Sequence, residues 1–144
     1  MNVSEIAHTV LVTVTMDHTI GRARDIMKMK KIRHLLVMDG SELVGVITDR
    51  DVRSHLSPRI DTPIESSEDE KTLETKIHKV MTRDLITVSP DAPIGEAASL
   101  LLKHKVGCLP VLDKDGSAVG IVTDADFLGY LARGIGVKED NQNG

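Results

Sequence analysis

The sequence predicts a mixed α/β (α+β) fold of two pseudo-symmetric β-α-β-β-α repeats packed through their small sheets. Three observations lead there. The chain matches itself in one frame over most of its 144 residues. Within each match, apolar periodicity alternates between strand and helix spacing. The composition is 40% hydrophobic and 28% charged, an ordinary globular balance, yet only 1% aromatic. With one Phe (Phe127), one Tyr (Tyr130) and no Trp, the core has to be aliphatic.

Leu11-Val12-Thr13-Val14 recurs as Leu85-Ile86-Thr87-Val88, an offset of 74 residues. That offset pairs Asp17 with Asp91, Ile20-Gly21 with Ile94-Gly95, Lys31 with Lys105 and Val37 with Val111. One residue is then inserted in a turn, and Gly45 to Asp51 matches Gly120 to Asp126 at an offset of 75. Such repetition predicts a tandem architecture before any single element is assigned.

Taken in order, each repeat opens with a short β-rich run, Leu11–Val14 or Leu85–Val88. A turn and a helix follow, with apolar residues at helical spacing: Ile20, Ala23, Ile26 and Met27, then Ile94, Ala97, Ala98 and Leu101. Pro93 suits a helix N-terminus, where its missing N–H costs nothing. Two strands come next, Leu35–Met38 with Leu43–Thr48 and Leu109–Leu112 with Ala118–Thr123; Asp39-Gly40 and Asp115-Gly116 mark tight hairpin turns. A last helix runs from about Asp49 to His55 and from about Asp124 to Ala132. Neither small sheet buries its faces alone, so the repeats are expected to pack on each other.

Between the repeats, Ser57 to Pro63 is a proline-broken connector. A helical stretch is expected through Leu73, Ile77, Val80 and Met81. The acidic residues from Glu65 to Glu70 fit a helix N-terminus better than a recognition feature. The expected division is 1–61 for the first repeat, 62–76 for the connector and helix start, 77–134 for the second repeat, and a flexible tail over 135–144.

Composition also excludes functions. Single-stranded nucleic-acid binders stack bases on several rings, and two rings three residues apart cannot do so. A net charge of −4, from 18 basic and 22 acidic residues, argues against nucleic acid as a partner. One cysteine, Cys108, forms no internal disulfide, and a lone buried thiol suits a reducing compartment. No basic leader region opens the chain, and the apolar run Val10–Val14 is too short for a signal core or membrane span. The expectation is a complete cytoplasmic chain with no membrane partner. The six histidines show no metal-ligand spacing, and no nucleophile motif is present, so neither metal site nor enzyme is expected.

The strongest chemical signal is Gly-apolar-apolar-Thr-x-x-Asp, found twice where a strand meets a helix. Thr48 and Thr123 take the N-cap position, with Asp51 and Asp126 one turn in. A capping box alone accounts for the spacing. The same geometry suits a nucleotide: free N–H groups for phosphate, and a carboxylate that accepts both hydroxyl hydrogens of a ribose diol.

These doubled motifs, with Lys79-Val80-Met81-Thr82 and Val106-Gly107-Cys108-Leu109-Pro110-Val111-Leu112-Asp113, resemble the cystathionine-β-synthase (CBS) domain family, in the tandem arrangement called a Bateman module. The resemblance covers about residues 3 to 132. It implies a non-catalytic regulatory module for adenosyl ligands: AMP, ADP or ATP, and in some members NAD(H) or S-adenosylmethionine. It implies two clefts between the repeats, with Thr48 and Asp51 facing Ile86, Val106 and Cys108, and Thr123 and Asp126 facing Val12, Ile32 and His34. The carboxylates would hold ribose and the aliphatic side chains would sandwich adenine. Arg33, His34 and Arg50 are expected at phosphates, whereas the second repeat has Gly107, Cys108 and Ala125 there. It implies a homodimer, for which Ile26, Leu101, Phe127 and Leu131 either supply the surface or are buried within the chain. With no effector domain in this sequence, the effector is a separate protein; the alternative is a dimerisation scaffold with vestigial ligand sites.

Overall fold

A computed structural model describes residues 1–134. The flexible tail expected over 135–144 lies outside the described residues. The chain is a mixed α/β structure that divides into two compact units, Val12–Leu85 and Met1–Leu11 with the chain from Ile86 onward.

In the first unit, β1 (Thr13–Val14), β2 (His34–Asp39) and β3 (Glu42–Thr48) form a sheet in that order. β1 runs parallel to β2, and β2 and β3 form an antiparallel hairpin in which His34 pairs with Thr48. Gly40 turns the hairpin at φ 62°, a conformation glycine adopts without penalty. Between β1 and β2, α1 (Ile20–Lys30) starts at Thr19, whose hydroxyl accepts the Arg22 N–H, and buries Ile20, Ala23 and Met27. It ends on Lys31 in the left-handed region, with the Ile32 N–H returning to the Met27 carbonyl. α2 (Asp49–His55) follows β3 directly.

The connector departs from the expected continuous helix. α3 covers only Ser67–Lys71, and Thr72–Glu74 and Ile77–Lys79 are separate 3₁₀ turns. Thr75 and Lys76 lie extended between them because this stretch pairs with the chain entering α1: the Ile20 N–H donates to the Thr75 carbonyl, and the Ile77 N–H to the His18 carbonyl. The acidic run does cap a helix. The Ser66 hydroxyl and Asp69 carboxylate form a capping box, and the buried Asp69 also accepts from the Ser57 hydroxyl at 2.7 Å. The Ser57 hydroxyl and the Ser66 main-chain N–H, with Arg59 nearby, hold the Asp69 carboxyl below its ordinary range. The neighbouring Glu65 carboxyl pushes Glu70 upward.

The second unit repeats the plan with α4 (Ile94–His104), β4 (Cys108–Leu112), β5 (Ala118–Thr123) and α5 (Asp124–Gly134). α4 ends on Lys105, left-handed like Lys31. The hairpin turns at Gly116, at φ 83°. The expected opening strand Leu85–Val88 is reduced to one parallel bridge, Val88 with Val111. The cause is Pro110, which stands where the first repeat has Leu36. Leu36 donates its N–H to the Val12 carbonyl, and proline has no N–H to donate.

Each unit buries its own aliphatic core. The first gathers residues such as Leu35, Val37 and Ile47 with Ile77, Val80 and Met81; the second gathers Leu109, Val111 and Val122 with Val3. Truncating Leu35 or Leu109, both fully buried, costs about 2–5 kcal/mol on general experience. Val3 therefore packs with the second repeat, and Ile77 with the first. The 3₁₀ turns Val3–Glu5 and Ile77–Lys79 introduce these two strips, which are themselves related by the offset of 74.

Candidate functional site

The two Thr-x-x-Asp motifs occupy equivalent places, one in each unit. β3 ends at Thr48 and α2 starts at Asp49; β5 ends at Thr123 and α5 starts at Asp124. The glycine of each motif is required by a close backbone approach. A Cβ at Gly45 would lie 2.9 Å from Met81 Sδ and 3.0 Å from the Thr82 carbonyl oxygen, and a Cβ at Gly120 only 2.9 Å from the His8 carbonyl oxygen. Each glycine admits against its own sheet the strip that precedes the other repeat. Val46 exchanges two main-chain bonds with Thr82, and Ile121 exchanges two with His8.

Thr48 and Asp51 form the reciprocal capping box. The Asp51 N–H donates to Thr48 Oγ1 at 3.1 Å, and the Thr48 N–H to Asp51 Oδ2 at 3.0 Å. The second copy is arranged differently. Asp126 Oδ2 accepts from the Thr123 N–H at 2.7 Å and from the Thr123 hydroxyl at 3.1 Å. Its other oxygen, Oδ1, faces His8 Nε2 at 2.8 Å. Histidine spacing along the sequence gives no hint of this contact. The repeat register does: at the offset of 74, His8 stands where Thr82 stands before the second repeat.

The first unit brings Ile32, Arg33, His34, Thr48, Arg50 and Asp51 into one neighbourhood. The Asp49 N–H donates to the Arg33 carbonyl at 3.0 Å, which ties the turn before β2 to the start of α2. His34 opens β2 opposite Thr48. Arg33 and Arg50 are exposed, while Val12 and Ile32 are partly buried against the core. The second unit repeats the tie, with the Asp124 N–H donating to the Gly107 carbonyl. Cys108 is buried opposite Thr123, Ile86 is partly buried, and Val106 is 36% exposed.

A groove of about 600 Å³ lies within the first unit between α1, α2 and the start of the connector. Arg24, Lys28, Arg33 and Arg53 line it with Asp49 and Asp61, over Met27, Val52 and Leu56. Arg24 and Lys28 pair with Asp61, and Arg53 with Asp49 at 3.9 Å. Asp49, Val52 and Arg53 share one face of α2, and Leu56 follows at its C-terminal end. Thr48, Arg50 and Asp51 do not line the groove, so Arg33 is the only expected phosphate contact that does.

Of the four residues expected either at a dimer surface or buried within the chain, three turn inward. Leu101 is 8% exposed and belongs to the core, because the face of α4 that carries Ala97 packs inward. Ile26 and Phe127 are partly buried against their cores. The exposed apolar residues on α4 and α5 are Leu102, Leu128 and Leu131. Among the described residues, no three or more His, Cys, Asp or Glu side chains converge on a metal position. No described helix is long and apolar enough to cross a membrane.

Comparison with known proteins gives a consistent result. The CBS domain model matches twice, over residues 3–58 and 77–133. A CBS domain-containing protein from Dictyostelium discoideum is 37% identical over 128 residues, 85% of this chain and 86% of that protein. Three other relatives, 31–33% identical, are longer, and the chain spans 23%, 46% and 21% of them. Two of these are named as enzymes, a homoserine O-acetyltransferase and an inosine-5′-monophosphate dehydrogenase. Among solved structures, the CBS domain pair of protein MJ0100 in complex with 5′-methylthioadenosine and S-adenosyl-L-methionine superposes with a TM-score of 0.75 at 27% identity, covering 94% of this chain and 98% of that one. CBSX2 in complex with AMP superposes with a TM-score of 0.75 at 26% identity and the same coverages.

Proposed function

Since the chain belongs to the CBS domain family and carries two copies in tandem, we propose that it is a non-catalytic regulatory module that binds adenosine-containing ligands and signals to a separate protein. The observation that carries this reading is the pair of Thr-x-x-Asp carboxylates, each presented at a strand-to-helix junction, in a chain similar to structures holding AMP and S-adenosyl-L-methionine. In this reading Asp51 and Asp126 accept ribose hydroxyls. Thr48 and Thr123 assist at ribose or phosphate, where the first N–H groups of α2 and α5 favour negative charge.

Adenine is held by aliphatic side chains, with Ile86, Val106 and Cys108 serving the ligand of Thr48 and Asp51. Val12, Ile32 and His34 serve the ligand of Thr123 and Asp126. Arg33, His34 and Arg50 give the first repeat basic side chains for a phosphate-bearing ligand, AMP or ATP before S-adenosylmethionine. Without a stacking ring, binding is modest, as suits a sensor of an abundant cytoplasmic metabolite. Ligand occupancy then shifts the balance between shapes that a partner distinguishes.

Calorimetric titration with AMP, ATP, NADH and S-adenosylmethionine tests the reading. Binding with a dissociation constant below about 1 mM, some 4 kcal/mol, is expected for at least one of them. It is expected to disappear in the Asp51→Ala/Asp126→Ala double variant. Unchanged affinity in that variant refutes the site assignment.

The exposed leucines on α4 and α5, Leu102, Leu128 and Leu131, favour a homodimer as the working assembly. They are also the specific observation behind the second reading, a dimerisation scaffold with empty sites. Sedimentation as a monomer at micromolar concentration removes both the dimer and the scaffold.

A further inference from the structure

We infer that His8 sets the ligand selectivity of the Thr123/Asp126 site by occupying the carboxylate oxygen that a ribose diol needs. The inference rests on the nucleotide-binding reading above and concerns which nucleosides the second repeat accepts. A carboxylate offers about four acceptor positions, two on each oxygen. On Asp126, the Thr123 N–H and hydroxyl take both positions of Oδ2, and His8 Nε2 lies 2.8 Å from Oδ1. One position remains.

Asp51 is less committed. It accepts the Thr48 N–H on Oδ2, while Thr48 Oγ1 is itself an acceptor for the Asp51 N–H. The residue aligned with His8 is Thr82, whose exposed side chain makes no hydrogen bond to Asp51. Asp51 can therefore accept two ribose hydroxyls without displacing anything, whereas Asp126 accepts one unless the imidazole leaves.

The contact belongs to the His8 side chain alone. The His8 main chain is fixed by its two bonds to Ile121, each 2.9 Å, and a Cβ on Gly120 would collide with its carbonyl. The imidazole is thus delivered to Asp126 by a rigid strip. The Asp126 side chain is 11% exposed and that of His8 65% exposed, so the histidine stands between solvent and the carboxylate and is free to swing outward. A ligand with one suitable hydroxyl fits with His8 in place. A full diol gains its second hydrogen bond only by breaking the His8 contact, so the 2′-hydroxyl earns little.

The test uses the full chain in an Asp51→Ala background, which leaves only the second site, with AMP and 2′-deoxy-AMP as calorimetric probes. The background protein is expected to bind the two alike. Adding His8→Thr, which installs the residue of the other repeat and keeps the main-chain bridge, is expected to tighten AMP roughly three- to fivefold. It is also expected to open a preference for AMP over 2′-deoxy-AMP of about tenfold, one charge-assisted hydrogen bond. If AMP binds through Asp126 but His8→Thr leaves affinity and selectivity unchanged, or weakens AMP, His8 is not the selectivity determinant. If the Asp51→Ala/Asp126→Ala variant binds AMP as the parent does, it is the nucleotide-site reading that fails.

Discussion

Gly120→Ala isolates the contact on which both the second sheet and the Asp126 site depend. The added methyl meets the His8 carbonyl oxygen at 2.9 Å, the Ala7 Cβ at 3.6 Å and the Val111 Cβ at 3.7 Å. The first neighbour is main chain and has no rotamer to change. Relief requires the strip to move away from β5, which strains the two 2.9 Å bonds between His8 and Ile121. Weakening two main-chain bonds costs about 1–2 kcal/mol, and the crowding adds about 1–3 kcal/mol. The alanine returns about 0.4–1 kcal/mol by restricting the unfolded chain. The net expectation is destabilisation of about 2–3 kcal/mol. Gly95→Ala is the matched control: Gly95 lies in α4, a Cβ there meets nothing within 4 Å, and the substitution should stabilise by about 0.5–1 kcal/mol. Urea unfolding of the two variants against the parent is the assay. Equal free-energy changes, or a Gly120→Ala protein as stable as the parent, would falsify the close-approach argument.

Asp51→Ala removes an N-terminal cap and should cost about 1 kcal/mol, whereas Asp51→Asn keeps an acceptor for the Thr48 N–H and costs less; both should weaken AMP binding, and a variant that loses stability alone makes Asp51 only a cap. Asp69 carries a depressed folded-state pKa, so its stabilisation is complete above the ordinary carboxylate range, near pH 4, and is lost as pH falls through the lower folded value. Thermal melts from pH 5 to 2 should show a loss in the parent that Asp69→Asn lacks. Glu70, raised chiefly by Glu65 and least by the Asp69 charge, acts with the opposite sign, and most of its effect persists in Asp69→Asn. Lys31→Gly relieves a left-handed residue worth about 1 kcal/mol and gives back part of it to the unfolded chain; a net gain of about 0.5 kcal/mol in urea is expected, with none for Lys31→Ala.

The repeats, their helices and their hairpins are legible in the sequence because each rests on local chemistry: helical spacing from Ile20 to Met27, Asp-Gly turns, and Thr caps. The opening strand of the second repeat misleads, since Leu85–Val88 has strand composition but its would-be partner Pro110 lacks the N–H that pairing needs. The connector misleads for a related reason. Apolar spacing through Leu73, Ile77 and Val80 suits a helix, yet the bonds to His18 and Ile20 are non-local and hold Thr75 and Lys76 extended. The site divides along the same line. The Thr-x-x-Asp geometry follows from capping, which spans three residues; the contact of His8 with Asp126 spans most of the chain and is visible only through the repeat register.

The register also separates what the fold demands from what it leaves free. Gly45 and Gly120, Lys31 and Lys105, and the two Thr-Asp caps recur because main-chain geometry at those places is the same in both units. At other aligned positions the chemistry diverges within corresponding elements. Arg24, Lys28, Arg33 and Arg53 answer to Ala98, Leu102, Gly107 and Leu128, which turns a charged groove in one unit into an apolar helix face in the other. Val52, buried in the first core, answers to Phe127, the only phenylalanine. Thr82 answers to His8. None of these exchanges is needed to close a sheet or cap a helix, so the fold does not account for them. A difference in ligand or partner between the two repeats has to be written in these positions, and the substitutions that swap them, His8→Thr first, are the ones that move function without moving the backbone.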